Sequence, residues 1–119
     1  MTKIQNTKKY DLEERTLKFA KNVIEYVDKM QKTVTSLEVG KQLVRSAGSV
    51  GANYIEANES LGKKDFVMRI KISRKEAKET RYWLELTSPP DSLAETKRGL
   101  VRESTELMKI FGAILEKCK

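Results

Sequence analysis

Residues 63–86 read KKDFVMRIKISRKEAKETRYWLEL, and the spacing within them decides the fold class. Phe66, Ile70, Ser73, Ala77, Thr80 and Leu84 follow at steps of 4, 3, 4, 3 and 4, a heptad seam that lies along one stripe of an α-helix. The same period continues outward. Beyond the adjacent Pro89 and Pro90, the residues Leu93, Leu100, Ser104, Leu107, Phe111, Ile114 and Cys118 step by 7, 4, 3, 4, 3 and 4. Upstream, Leu12, Phe19, Val23, Tyr26 and Met30 form one stripe, and Leu37, Val44, Ala47, Gly51, Tyr54 and Leu61 form another. Asp11 with Glu14, Thr35 with Glu38 and Ser92 with Glu95 have the spacing of capping boxes. The pattern predicts helices at about 11–31, 35–61, 63–87 and 92–118. Short connections make consecutive helices antiparallel neighbours. Residues 1–119 are therefore expected to form one all-α domain, an antiparallel up-and-down four-helix bundle.

The second helix is rich in small residues: Gly40, Ser46, Ala47, Gly48, Ser49, Gly51 and Ala52. Glycine inside a helix costs about 1 kcal/mol relative to alanine. Either another backbone packs very close here, or Gly48–Gly51 is a loop.

Composition narrows the function. Hydrophobic residues make up 39% of the 119 and charged residues 34%, too apolar for disorder and too polar for a membrane protein. Met1 to Asn6 contain no apolar segment of a secretory leader, and the one cysteine, Cys118, excludes an internal disulfide. A cytoplasmic protein is expected. There is no histidine, which removes the commonest general base and metal ligand together. The chain is read as non-catalytic, without metal or cofactor.

The net charge is +7, which points to an acidic partner such as nucleic acid. Residues 63–86 hold eight cations against four carboxylates. At 100° per residue, Lys64, Lys71, Arg74, Lys75 and Lys78 fall on the arc away from the seam, with Arg81 at its edge and Tyr82 in line with Lys64. A basic stripe with an aromatic suits a phosphate backbone and a stacked base. The remaining arc carries Ile72, Glu76, Glu79, Trp83 and Leu86, more apolar surface than a monomer needs. With Gly48 and Gly51 of the second helix, it is the expected subunit interface, anchored by Trp83.

The stretch Val44-Arg45-Ser46-Ala47-Gly48-Ser49-Val50-Gly51-Ala52-Asn53-Tyr54-Ile55-Glu56-Ala57, followed by Lys63-Lys64-Asp65-Phe66, Arg69-Ile70-Lys71 and Arg74 to Leu84, resembles a known family. So does the opening Tyr10-Asp11-Leu12-Glu13-Glu14-Arg15-Thr16. Together they resemble the four-helix bundle proteins encoded in intervening sequences of bacterial 23S ribosomal RNA genes. The likeness covers roughly residues 10–86, and Pro89-Pro90-Asp91 is no feature of it. It implies an antiparallel bundle that assembles into a homopentamer. It also implies kinship with retroelement accessory proteins that bind nucleic acid with a reverse transcriptase, and no catalytic residues. The expected function is thus a homo-oligomeric nucleic-acid-binding protein, for RNA rather than DNA, associated with a 23S rRNA intervening sequence, with a reverse transcriptase or ribosomal component as possible company. The alternative is an interaction scaffold whose basic face docks an acidic protein.

Overall fold

The computed structural model describes residues 2–119, with side chains from Asp11 onward. Four helices follow one another: α1 (Thr2–Lys29), α2 (Val34–Asn58), α3 (Lys63–Leu86) and α4 (Ala94–Lys117), the last preceded by a single 3-10 turn at Asp91–Leu93. Contacts between elements show the direction of each. Along α1 and α2, Val27 meets Gly40, Thr16 meets Gly51 and Glu13 meets Asn58. Along α2 and α3, Ser46 meets Thr80, Val50 meets Ser73 and Asn53 meets Arg69. Along α3 and α4, Arg74 meets Gly112 and Arg81 meets Thr105. In each pair one number rises as the other falls, so every neighbour runs antiparallel. The bundle extends 46 × 29 × 19 Å.

The seams expected in α1, α3 and α4 are the buried ones, with Phe66, Met30, Ile114 and Cys118 half-buried at their ends. Thr16 fills the gap in the α1 stripe and is also buried. The second helix differs. Ala47, Gly51 and Tyr54 point inward as expected, but Leu37, Val44 and Leu61 are exposed. The buried line instead runs through Gly40, Leu43, Ala47, Val50, Tyr54 and Ala57, a heptad carried largely by small residues. The larger apolar residues Leu37, Val44 and Leu61 lie on the outer arc instead.

Helix boundaries moved for local reasons. No glycine or proline lies between Thr2 and Lys29, so α1 extends through Asp11, which is interior and caps nothing. The cap of α2 is Thr33, not Thr35: its side chain accepts from Ser36 N while Ser36 Oγ accepts from Thr33 N. That reciprocal pair is a capping box with serine at the third position. α2 ends at Asn58 rather than 61, where the Asn58 amide donates to Glu13. At α4 the 3-10 turn takes up Ser92 and no side chain caps the helix, so the expected Ser92–Glu95 box does not form. Residues 48–51 are helical and not a loop.

The end of α3 is a junction. Thr87 Oγ1 donates to Leu84 O at 2.6 Å, which leaves the Tyr26 hydroxyl, 2.7 Å away, to donate to Thr87. Lys97 of α4 donates to Thr87 O at 2.9 Å. Burial, partly offset by the Thr87 hydrogen bond, pushes the Tyr26 phenol above its usual range.

The glycines of α2 divide by environment. A Cβ on Gly51 would stand 2.8 Å from Thr16 Oγ1 and 3.1 Å from its Cβ, and one on Gly40 would stand 2.9 Å from Val27 Cγ1. A Cβ on Gly48 would meet nothing within 4 Å. Gly51→Leu should therefore overpack the α1–α2 contact and cost about 2–3 kcal/mol. Gly48→Ala should raise stability by about 0.5–1 kcal/mol through helix propensity alone. Denaturant titration of the two variants checks this; an unchanged midpoint for Gly51→Leu would rule out the close contact.

Candidate nucleic-acid interface

The cations of α3 stand where its helical period puts them. Lys64, Lys71, Arg74, Lys75 and Lys78 are exposed, as is Tyr82. Arg81 is half-buried and donates from Nη1 to Thr105 Oγ1 at 3.4 Å. Arg74 leans across α4 at Gly112, where a Cβ would come within 3.7 Å of its Cζ. At that distance a Cβ would make only ordinary van der Waals contact with the guanidinium. Gly112 and Thr105 of α4 thus lie against two of the α3 cations. Neither was singled out in the sequence, although a glycine inside an amphipathic helix was a signal for Gly112.

Among the described residues, no carboxylate lies within 4 Å of the cationic groups of Lys64, Lys71, Arg74, Lys75 or Lys78. Like charges three and four residues apart on a helix repel. Of the four carboxylates of α3, Glu76 and Glu79 face α2, whereas Glu85 lies at the end of the basic arc and has no ion pair among the described residues. Glu79 pairs with Arg45 of α2, and Glu76 Oε1 lies 3.6 Å from the same guanidinium. Glu79 also accepts from Trp83 Nε1 at 3.2 Å. Arg45 of α2 thus faces both carboxylates of that half, and the five exposed cations of the other half have no ion pair among the described residues.

The expected interface residues do not form one surface. Ile72, Glu79 and Trp83 are half-buried and Leu86 is exposed along the outer flank of α3, with the Trp83 ring edge-on to Tyr82 at 5.3 Å. Glu76 is 7% exposed, and its Oε1 has no hydrogen-bond partner, so it belongs to the α2–α3 contact. Gly51 is buried against Thr16 inside the bundle, which removes it from any outer surface. Gly48 is exposed, but on α2.

Among the described residues, no helix is long and apolar enough to cross a membrane. No curated protein matches the chain significantly. A solved protein of unknown function from the S23 ribosomal protein family of Bacteroides thetaiotaomicron is similar: 30% identical, covering 92% of this chain and 98% of its own, with a TM-score of 0.75. The family model described as 23S rRNA-intervening sequence protein matches residues 8–113. A match over nearly the whole bundle, with a solved relative of the same four-helix form, places this chain in the 23S rRNA-intervening sequence protein family.

Proposed function

We propose that the protein is a non-catalytic, homo-oligomeric RNA-binding protein associated with a 23S rRNA intervening sequence. The observation that carries the reading is the row of exposed, unpaired cations on α3, continued by Arg81 beside Thr105. A polyanion relieves their mutual repulsion and releases its counterions as it binds. Lysines and arginines on a straight helix contact phosphates and carry little base readout, so binding is weakly sequence-dependent. Tyr82, 58% exposed at the end of the row, offers a ring for one unstacked base. The family description and the ribosomal family of the solved relative favour RNA over DNA as the polyanion.

Oligomerisation is supported by the outer flank of α3, where Ile72, Trp83 and Leu86 keep apolar area that the bundle does not cover. A pentamer is the favoured assembly. In it the cationic row would repeat around the particle, and several weak phosphate contacts would add as avidity.

Two measurements test the reading. Wild-type protein should bind structured RNA with an affinity that falls roughly 100- to 1,000-fold between 50 and 200 mM salt, as expected for about five phosphate contacts. Lys71→Glu with Arg74→Glu and Lys78→Glu should abolish that binding and leave the helical circular dichroism intact. No binding at low salt, or equal binding by the variant, would reduce the row to a solvated face. In light scattering the wild type should run near five times 13.6 kDa, and Trp83→Ala should lower that mass. A wild-type monomer at tens of micromolar would overturn the oligomer.

A further inference from the structure

The cations of α3 do not lie on a single line. At 100° per residue, Arg74 and Arg81 fall on the edge of the basic arc nearest α4, Lys64 and Lys75 on the opposite edge, and Lys71 and Lys78 between them. Contacts with α4 hold the first edge: Arg81 donates to Thr105, and the Arg74 guanidinium lies over Gly112. On the second edge Lys64 and Lys75 are exposed and have no ion pair among the described residues. The two edges lie roughly 100° apart around the helix, so they stand about a helix diameter from each other, about 10–12 Å with side chains. From Lys64 to Arg81 the surface runs about 25 Å, at about 1.5 Å per residue. Glu85, one turn beyond Arg81, ends it with a negative charge.

A surface of that shape distinguishes between forms of nucleic acid. A single strand offers one line of phosphates and leaves one edge of the arc without a partner. A duplex offers two lines, one on either side of a groove. Ser73 and Thr80 pack α3 against α2, and Arg81 ties it to α4, so it presents a low convex ridge rather than a free helix. Such a ridge does not descend into B-form DNA, whose major groove is about 8.5 Å deep and whose minor groove is only about 6 Å wide. The minor groove of A-form RNA is wide and shallow and displays 2′-hydroxyls between its backbones. We propose that α3 lies along the minor groove of double-stranded RNA. Arg74 and Arg81 then meet one backbone and Lys64 and Lys75 the other, while Lys71 and Lys78 stand over the groove and donate to 2′-hydroxyl oxygens. The proposal deepens the RNA-binding reading above and rests on it, naming the form of RNA and the strand that each cation meets. The arginines, lying against α4, form a fixed edge, and the lysines on their flexible four-carbon stems adjust to the second backbone.

The test compares three probes on the full chain across a salt series. They are an RNA duplex of about 16 base pairs, one of its strands alone, and the DNA duplex of the same sequence. At equal salt the RNA duplex should bind at least about 10-fold tighter than either of the others, because only it engages both edges. Lys64→Gln with Lys75→Gln, and Arg74→Gln with Arg81→Gln, should each lower the slope of log affinity against log salt on the RNA duplex by about 2. Arg74→Gln alone, with an expected change of about 1, replaces the arginine pair if loss of the Arg81–Thr105 bond disturbs the circular dichroism. Single-stranded RNA or duplex DNA bound as tightly as duplex RNA overturns the minor-groove seat and leaves the RNA-binding reading standing. So does an edge whose removal leaves the duplex slope unchanged. No binding to any RNA at low salt overturns both.

Discussion

The face between α2 and α3 governs the rest of the structure. Ser46, Ala47 and Val50 on one helix meet Ser73, Ala77 and Thr80 on the other, all buried. Small side chains let the two helices come close, and closeness makes each hydroxyl a liability unless it finds a partner. Ser73 Oγ donates to Val50 O at 2.9 Å, and Thr80 Oγ1 lies 2.8 Å from Ser46 Oγ and 2.7 Å from Glu76 O. Hydrogen bonds are directional, so this contact tolerates one register where a purely apolar seam would tolerate sliding. The register then aligns Arg45 with Glu76 and Glu79, and Asn53 with Arg69.

That alignment gives α3 its asymmetry. Arg45 pairs with the carboxylates on one flank, and no carboxylate of α4 pairs with the exposed cations on the other. On α4 the residues beneath Arg74 and Arg81 are Gly112 and Thr105, of which Thr105 accepts a hydrogen bond and neither brings negative charge. The local potential of the basic face is therefore set by which neighbour each flank meets, more than by the net charge of the chain.

α1 is held differently. It contributes the large core residues Phe19 and Tyr26, and it meets α4 across an open groove of about 530 Å³ rather than a tight seam. Arg15 bridges that groove to Glu103 with two hydrogen bonds, of 2.6 and 2.8 Å, which raise the Arg15 pKa further and keep the guanidinium charged. Farther along, Tyr26 reaches Thr87, so α1 is fastened at Arg15, at Tyr26 and against the glycines of α2. Bulky residues fill volume between helices, whereas small ones determine how near two helices stand. The bundle uses the first for α1 and the second for α2 and α3.

The sequence by itself determined the helix count, the antiparallel order and the inward stripes of α1, α3 and α4. Helical period and the Pro89-Pro90 break are local properties that need no partner to be read. It determined the basic row as well, because Lys64, Lys71, Arg74, Lys75 and Lys78 fall on the arc away from the seam, and all five are exposed. Tertiary structure decided the inner face of α2. There Gly40, Ala47 and Ala57 lie inside and Leu37 and Val44 outside, since the limiting quantity is the distance to α1 and α3, which hydrophobicity along one helix does not encode. It also decided where each glycine lies: Gly51 faces Thr16, Gly112 lies beneath Arg74 and Gly48 opens to the surface. A glycine written in a sequence says only that space is wanted beside it, and the identity of the neighbour that takes the space belongs to the packed molecule.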